Sequence, residues 1–299
     1  MTERPALSAP HQPLVSVLTP SLNQGLWLRD ALRSVALQTY PNIEHIVRDG
    51  GSSDRSLDVL AATGPSVRWT SVPDGGQSNA LNAAFAASRG EIIGWINADD
   101  AYFDRNVFSD VVAVFQREPD VGVVYGHTVL ANADGLILHT MWVPRFNARL
   151  LRRYGFIFQP GAFIRRSALE AHGFVDEAYE YGMDRELWLR LAASCRFERI
   201  DRIVAIDRHH ADRKSYLRQD LAAQDWKRLE AQYDVDFSRV AMVRARITKV
   251  RLRIAGLFLL RGLHAPLAFA GRIDSMPRLL IRQLSRRRRS MPLSEAAAR

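Results

Sequence analysis

The sequence EIIGWINADD, residues 91–100, is an apolar strand pattern that ends in two adjacent carboxylates. In open α/β sheets ligands bind at the carboxyl ends of strands, because loops and helix N-termini converge there. Asp99 and Asp100 therefore predict a site for a hard divalent cation, Mg²⁺ or Mn²⁺, whose remaining positions substrate phosphate oxygens would fill. Adjacent Asp residues also cap turns and helices. The pair by itself leaves both interpretations open.

The residues before this strand alternate between strand and helix patterns. Apolar strand patterns and stretches of helical spacing take turns at 14–19, 27–37, 43–47, 55–62, 67–72 and 79–88. Such alternation predicts a mostly parallel sheet with helices on both faces. Three loops, at 20–23, 49–54 and 97–100, are then expected on one edge of the sheet. No P-loop and no GxGxxG motif follows the first strand, which argues against P-loop and Rossmann nucleotide sites.

The loop DGGSSD, residues 49–54, has the composition of a nucleotide contact. Gly50 and Gly51 let the backbone approach a ligand closely, and Asp49 can accept hydrogen bonds from a base or ribose. A helix that begins near Ser78 points its positive end toward the same edge, where diphosphate charge is favoured. A nucleotide is the expected ligand.

The chain has 299 residues, 47% hydrophobic and 24% charged, enough for one large domain with an appendage. The single cysteine, Cys195, excludes an internal disulfide framework and fits a reducing compartment. Residues 1–13 lack the basic start and apolar block of a signal peptide, so we expect a short disordered lead. We therefore expect a cytoplasmic protein.

The net charge of +9 favours an anionic partner, and much of the positive charge lies in the C-terminal region 217–299. This region predicts a basic helical appendage, and its apolar stretch 254–270 is too interrupted to span a bilayer. Two interpretations are equally open: a helix on an anionic membrane surface, or a helix packed on the preceding domain with a solvated basic tail. Nucleic acid is not expected as a partner, because no aromatic residues are interleaved with the arginines.

Seven segments together resemble one known family. They are TPSLNQ (19–24), ALQTYPNIEHIVRDGGSSD (36–54), PDGGQSNALNAAF (73–85), GEIIGWINADD (90–100), QPGAFIRR (159–166), GMDRELWLRLA (182–192) and RHHADRKS (208–215). Their order and spacing over about 200 residues resemble the inverting, GT-A-fold glycosyltransferases of family 2, whereas each segment alone would be weak evidence. The resemblance implies a GT-A-like α/β domain over residues 14–216.

The resemblance also implies roles for individual residues. It places Asp184 as the catalytic base, and it assigns the donor nucleotide to Pro20, Ser21, Asn23, Asp49, Asp74 and Asn97. It assigns a divalent metal to Asp99, Asp100 and His210. Two positions depart from the family pattern: Asn97 replaces the first Asp of the DxD motif, and Met183 replaces the Glu that often precedes the base.

Several of these assignments have alternatives in the sequence itself. Asp184 could instead cap the helix predicted at 185–193, and Glu186 could be the base or could pair with Arg190 at helical spacing. His209 competes with His210 for the metal position. Arg208, Arg213 and Lys214 are expected to help hold the diphosphate. Trp142, Tyr154 and Phe156 could stack on an acceptor sugar or belong to the core.

We therefore expect an inverting hexosyltransferase that moves a sugar from a nucleotide-sugar, a UDP-sugar by preference, to a hydroxyl of a glycan or lipid-linked acceptor. Such an enzyme would serve polysaccharide biosynthesis in the cell envelope, in the cytoplasm or peripherally on the inner face of the membrane. Two other functions remain: a glycosyltransferase-like scaffold or nucleotide-sugar sensor without turnover, which the two departures favour, and a metal-dependent nucleotidyltransferase. The latter leaves the segment 182–192 without a role.

Overall fold

The computed structural model describes residues 11–214, 219–233, 235, 247 and 250. The predicted disordered lead lies mostly outside the described residues, as do the stretch 254–270 and the arginine-rich end of the chain. The predictions made for those segments, including a membrane-facing appendage, remain predictions.

One sheet contains the strands of the described chain: β1 (Val15–Ser21), β2 (Ile43–Asp49), β3 (Val67–Ser71), β4 (Ile92–Trp95), β5 (Ala101–Tyr102), β6 (Val121–Asn132), β7 (Ile137–Met141), β8 (Ala162–Arg165) and β9 (Arg196–His209). The helices are α1 (Leu28–Ala36), α2 (Ser56–Ala61), α3 (Gln77–Ala87), α4 (Val107–Arg117), α5 (Ala148–Arg153), α6 (Arg166–His172), α7 (Met183–Leu191) and α8 (Gln219–Tyr233). A 3-10 helix, Gln159–Gly161, precedes β8.

The strand order is β3-β2-β1-β4-β8-β6-β9-β5, and β7 pairs with β6. The first four strands are parallel, as the alternating sequence predicts. Beyond β4 the sheet is mixed, because β8 runs antiparallel to both of its neighbours and β6 and β7 form a hairpin. The GT-A-like α/β fold is confirmed. Its first half is parallel throughout, where helices connect successive strands, and in the mixed half the long strands β6 and β9 also pair in parallel.

Helices cover the sheet on both faces because alternate side chains of its central strands point to opposite sides. Leu18 and Ile93 belong to the core shared with α3 and α7, whereas Val17 and Ile92 belong to the core shared with α1 and α4. Every residue of β1 is buried. Full burial of one such aliphatic side chain contributes about 1.5–3 kcal/mol, which explains the nearly continuous apolar strand sequences.

The strand order reverses between β1 and β4, and this reversal opens a crevice. Strands β2 and β3 extend the sheet on one side of β1, while β4 lies on the other side and pairs with β1 only as far as Leu18 opposite Trp95. The strand register between them ends there, so Pro20 and Ser21 have no partner residue in β4. In α/β sheets this is the position at which ligands bind.

Within the described residues, no helix combines the length and apolarity that crossing a membrane requires.

Candidate functional site

Asp49 lies at the carboxyl end of β2, directly between Ser21 of β1 and Ser71 of β3 in the strand register. Its buried carboxylate accepts hydrogen bonds from the Ser71 hydroxyl (2.7 Å), the Ser52 hydroxyl (2.6 Å) and the backbone N–H groups of Gly51 (3.1 Å) and Ser52 (2.8 Å). Asp49 therefore holds two strand ends and a loop together. Contact between Asp49 and a nucleobase remains a prediction.

Ser21, the last residue of β1, lies opposite Asp49 in the strand register. Its hydroxyl is buried, and among the described residues it has no hydrogen-bond partner. Leaving a buried hydroxyl unsatisfied costs about 1–3 kcal/mol. An unpartnered hydroxyl beside Asp49 therefore fits a polar ligand, as the assignment of Ser21 to the donor site expects.

Two further loops of the predicted donor site are tied to this one. The Asn23 side chain accepts the N–H of Ser53 (2.9 Å), and its backbone N–H donates to the Ser52 hydroxyl (2.7 Å). Asn23 has φ of 54°, a left-handed conformation that Asn tolerates better than most residues. On the opposite side, Asp74 lies over Gly50, where an added Cβ would come within 3.1 Å of its carboxylate. A side chain at position 50 would crowd the Asp74 carboxylate, and glycine avoids this contact.

Asn97 is a hydrogen-bonding centre, and this explains its departure from the DxD pattern. Its carbonyl oxygen accepts from the side chains of Gln77 and Trp95, both at 2.9 Å. Its amide nitrogen donates to Gln159 Oε1 (2.9 Å) and to Asp100 Oδ2 (3.3 Å). A carboxylate at this position could not donate to either acceptor, so the structure requires the amide.

Asp99 and His210 meet although they lie more than a hundred residues apart in the chain. His210 follows the end of β9, and its Nε2 lies 2.9 Å from Asp99 Oδ2. Trp27 stacks on the imidazole at 3.8 Å between ring centroids, and the buried Nδ1 has no partner among the described residues. His209 instead lies 3.7 Å from Asp207. The pairing identifies His210 as the histidine that faces the acidic pair.

Asp100 differs from Asp99 in that both of its oxygens have protein partners. Its Oδ1 accepts the backbone N–H of Arg208 at 3.0 Å, and its Oδ2 accepts from Asn97. Burial and the charges of Asp99 and Asp207 raise the pKa of the Asp100 carboxyl well above its ordinary value. Metal ligation by Asp100 remains a prediction, and the contacts of this residue hold the end of β9 against the NADD segment.

The residues fit a metal that is bound jointly by protein and substrate. No group of three His, Cys, Asp or Glu side chains converges as a cage in the described part of the chain. Asp99 and His210 offer one carboxylate and one imidazole nitrogen at a single point. Mn²⁺ and Mg²⁺ are commonly held by one or two carboxylates while substrate phosphates fill further positions, so a two-residue site suits such an ion.

The predicted base, Asp184, is the second residue of α7, whose N-cap is Gly182. It is therefore not the helix cap. The half-buried carboxylate accepts the backbone N–H of Arg185 at 2.7 Å. Burial raises the pKa of the Asp184 carboxyl above its ordinary value, against the opposing effect of that hydrogen bond and of the Arg185 charge. A raised pKa brings a carboxylate closer to the range in which a general base works.

Glu186 has a different environment, which decides between its two predicted roles. It is 1% exposed and forms a two-bond ion pair with Arg190, with both distances at 2.8 Å. The Tyr233 hydroxyl donates to the same carboxylate. Arg190 also donates to the backbone carbonyls of residues 172–174. Glu186 is thus the helical-spacing partner of Arg190 and is occupied on both oxygens.

The three cations expected to hold a diphosphate are each paired with a carboxylate. Arg208 binds Asp30 (2.8 Å), Arg213 binds Asp207 (2.7 Å) and Lys214 binds Glu180 (2.9 Å). Arg213 also lies where its charge lowers the pKa of both Asp184 and Asp100. The charge of Arg213 therefore acts on the predicted base and on Asp100 alike, while its guanidinium is bound to Asp207.

Helix α5 contacts the start of α7, which carries the predicted base Asp184, on the predicted acceptor side. The Arg185 guanidinium donates to the carbonyls of Leu151 (3.4 Å) and Arg152 (3.2 Å), which attaches the end of α5 to the start of α7. Of the three aromatic residues expected on this side, Trp142 and Phe156 are buried in the protein. They belong to the core, whereas Tyr154 is half-buried.

Helix α5 also carries an exposed basic surface. Arg149, Arg152 and Arg153 are exposed, and their i, i+3 and i+4 spacing puts them on one side of the helix. We call them the α5 arginine face. Residues 135–169 contain no Asp or Glu, and none of the three forms an ion pair with a described residue. The face therefore presents net positive charge on the helix that Arg185 attaches to the start of α7.

Other residues of the site carried no local sequence signal. Gln159 orients Asn97, Trp27 covers the His210 ring, and Asp225 of α8 binds the loop before α7. Each acts on a residue at least 40 positions away in the chain. Gln159 belongs to the recognised QPGAF segment, which was the one available indication.

Comparison with known proteins agrees with this geometry. Residues 16–173 match the family described as Glycosyl transferase family 2. An uncharacterized glycosyltransferase of Rickettsia felis is 26% identical over 212 residues, covering 68% of this chain and 35% of the relative. The chondroitin synthase of Pasteurella multocida is 28% identical over 207 residues, covering 68% of this chain and 21% of the synthase. The chain thus spans only part of the length of these curated relatives.

Solved structures share the fold. A mannosyltransferase from Pyrobaculum calidifontis, in complex with GDP-Man and Mn²⁺, superposes with a TM-score of 0.57 at 20% identity, covering 92% of this chain and 80% of that one. S. aureus TarS in complex with UDP-GlcNAc superposes with a TM-score of 0.55 at 18% identity, covering 66% of this chain and 59% of that one. The match over 16–173 includes more than half of the chain, and the chain belongs to glycosyl transferase family 2.

Proposed function

We propose that this protein transfers a sugar from a nucleotide-sugar, by preference a UDP-sugar, to an acceptor hydroxyl with inversion at the anomeric carbon. The observation that carries the proposal is the grouping of Asp99 with His210 beside the crevice, together with a half-buried, raised-pKa Asp184 that shares Arg213 with the acidic pair. The solved relatives with bound UDP-GlcNAc and GDP-Man support a nucleotide-sugar donor.

In the proposed reaction Asp184 takes the proton of the acceptor hydroxyl, whose oxygen attacks the anomeric carbon from the side opposite the nucleoside diphosphate. The new glycosidic bond forms as the bond to the diphosphate breaks. One carboxylate suffices because the leaving group is already a stabilised anion, unlike the alcohol released in glycoside hydrolysis. Asp99 and His210 would hold a divalent metal that, when bound, neutralises charge on the departing diphosphate.

The donor side of the proposal rests on the ends of the parallel strands. Ser21 contributes an unpartnered hydroxyl, and Asp49 lies opposite it in the strand register. We assign Pro20 and Asn23, which lie on the same segment as Ser21, to the donor nucleotide as well. Asp74 closes the opposite wall above Gly50. A nucleoside placed there would direct its diphosphate toward Asp99.

The acceptor side of the proposal rests on α5. The α5 arginine face lies on the helix that Arg185, the neighbour of Asp184, contacts. It lacks acidic partners among the described residues. Such a surface attracts phosphate groups, with about 1 kcal/mol gained for each Arg near an anionic membrane surface. We therefore propose a glycan acceptor that is lipid-linked and presented at an anionic membrane.

The test is metal-dependent release of nucleoside diphosphate from a panel of UDP-, GDP- and dTDP-sugars. Asp99→Ala and Asp184→Asn are expected to abolish turnover of the accepted donor, while Asp58→Asn, which removes the same charge from an exposed position on α2, should retain it. Donor binding in Mn²⁺ without turnover would favour a nucleotide-sugar sensor. Release of inorganic diphosphate from a nucleoside triphosphate would instead indicate a nucleotidyltransferase.

A further inference from the structure

Asp225, in the middle of α8, binds the loop that leads into α7. One oxygen of its buried carboxylate accepts three consecutive backbone N–H groups, those of Glu180 (3.0 Å), Tyr181 (2.7 Å) and Gly182 (3.0 Å). Gly182 is the N-cap of α7, and Asp184 follows two residues later. The carboxylate of one helix therefore fixes the starting point of the helix that carries the predicted base.

Successive backbone N–H groups that point to one spot form a concave site for an anion. The positive end of the α7 dipole adds to the attraction for negative charge at this position. Gly182 has no side chain with which to cap α7. The Asp225 carboxylate supplies the missing cap from another part of the chain.

The rest of α8 packs around the same segment. The Tyr179 hydroxyl donates to Gln232 at 2.9 Å, and the Tyr233 hydroxyl donates to Glu186 in α7. A Cβ added at Gly182 would lie 3.3 Å from a methyl group of Leu229. The segment from 179 to 186 is thus held on its α8 side by hydrogen bonds and by close packing.

The opposite side of this segment contacts the start of α3. The Ser78 hydroxyl, at the start of α3, donates to the backbone carbonyl of Tyr179 at 3.0 Å and lies 3.3 Å from the sulfur of Met183. The base-carrying segment is therefore clamped between α3 and α8. Of these two contacts, only the one made by Asp225 bears a full charge.

We propose that Asp225 is a positioning residue for sugar transfer: its carboxylate holds the 180–182 backbone so that Asp184 meets the acceptor hydroxyl in the correct geometry. The inference rests on the proposed role of Asp184 as the general base. It makes α8, which lies beyond the family match at 16–173, a working part of the active site. A base displaced by about 1 Å can lose on the order of 10²-fold in rate.

The test compares Asp225→Ala and Asp225→Asn with Glu230→Gln, a control that removes the same charge from an exposed position on the same helix. Hydrogen–deuterium exchange is measured on the full-length protein, because it requires no substrate. We expect exchange of the 180–186 amides to rise about tenfold or more in Asp225→Ala, since three charge-assisted hydrogen bonds are lost. Asp225→Asn keeps a neutral acceptor and should fall between Asp225→Ala and the native protein, and Glu230→Gln should match the native protein.

Turnover is then measured with the donor accepted in the release assay. Asp225→Ala is expected to lower kcat about 10²-fold, and to change the Kd for the nucleoside diphosphate by a much smaller factor, because the Asp225 carboxylate binds the 180–182 backbone and reaches the expected diphosphate cation Lys214 only through Glu180. Burial is the main cause of the raised pKa of Asp184. A loosened loop should hydrate Asp184 and lower this pKa, so the acidic limb of the rate–pH profile should move to lower pH.

The outcomes separate this inference from the proposed function. Unchanged exchange at 180–186 in Asp225→Ala would overturn the anchoring role. Raised exchange with native kcat would overturn the positioning role, as would an equal loss of kcat in Glu230→Gln. If Asp184→Asn retains turnover, the assignment of the base fails, whatever the Asp225 variants show.

Discussion

Two carboxylates of α7, Asp184 and Glu186, are expected to respond in opposite ways to the same substitution. The change is Asp to Asn at 184 and Glu to Gln at 186, which in each case replaces one carboxylate oxygen by an amide nitrogen of similar size. The structure assigns the first carboxylate to a half-buried position with one backbone hydrogen bond and the second to a buried ion pair with Arg190. We therefore expect Asp184→Asn to lower turnover and Glu186→Gln to lower stability.

The magnitude for Glu186→Gln follows from its partners. The amide that replaces one oxygen carries hydrogens that face the donors of Arg190, whose side chain is 22% exposed. Breaking a buried ion pair by removing one partner costs about 3–5 kcal/mol. Because Arg190 keeps its carbonyl acceptors at residues 172–174, we expect about 3 kcal/mol, the lower end of that range. For a domain of this size the loss corresponds to a decrease in Tm of roughly 6–12 °C.

The magnitude for Asp184→Asn follows from its chemistry. A general base contributes about 10²–10⁴-fold to the rate, and kcat should fall by that factor. The carboxylate makes one hydrogen bond, which an Asn oxygen can also accept, so Tm should stay near the native value.

The assay pairs thermal unfolding with initial rates of nucleoside diphosphate release, measured at a temperature where all variants are folded. Glu170→Gln serves as the control, because its ion pair with Arg166 has the same helical spacing but is exposed, at 3.7 Å. Such surface pairs contribute under about 1 kcal/mol. Loss of turnover in Glu186→Gln without a change in Tm would contradict the structural role of Glu186 and identify it as the base.

Three further predictions concern the donor edge, the pH dependence and the acceptor side. Asn97→Asp, which restores the family residue, should lower the free energy of unfolding by about 1–3 kcal/mol. The change removes the two hydrogen bonds that the Asn97 amide donates and places a second carboxylate beside Asp100. A Tm equal to that of the native protein would contradict this prediction. The value of kcat/KM should rise with pH through a pKa above that of an ordinary Asp, because burial raises the pKa of Asp184 and only the ionised form accepts a proton. An acidic limb with a pKa below that of an ordinary Asp would contradict this prediction. Alanine at all three positions of the α5 arginine face should weaken binding to phosphatidylglycerol vesicles by roughly 10²-fold. Phosphatidylcholine vesicles, which carry no net charge, serve as the control. Equal binding by the variant and the native protein would show that the α5 arginine face does not bind the membrane.

Much of the fold could be predicted from sequence because the relevant signals are local. The apolar runs of β1, β2 and β4 and the helical spacing of α1 and α3 each lie within about ten residues. The mixed half of the sheet was not predicted. There β8 enters between β4 and β6, and the direction of a strand relative to distant neighbours leaves no periodic trace in its own residues.

The candidate site divides in the same way. The motif order pointed to Asp99, Asp184 and His210, but the choice of His210 over His209 depended on which imidazole reaches Asp99. Likewise, the sequence allowed Glu186 both roles, and the ion pair with Arg190 decided between them. These choices depend on distances between side chains, which the sequence spacing does not specify.

By itself, the sequence determined the α/β class, the parallel first half of the sheet and the family resemblance, because periodicity and motif order are properties of the linear chain. The tertiary structure was needed to explain why position 97 is Asn, to show which carboxylate of α7 is held in an ion pair, and to show that Asp225 of α8 binds the loop before Asp184. The first and the third depend on a hydrogen bond between residues on different elements. The second includes such a contact, because the Tyr233 hydroxyl of α8 donates to Glu186. Such contacts exist only once packing has brought the elements together.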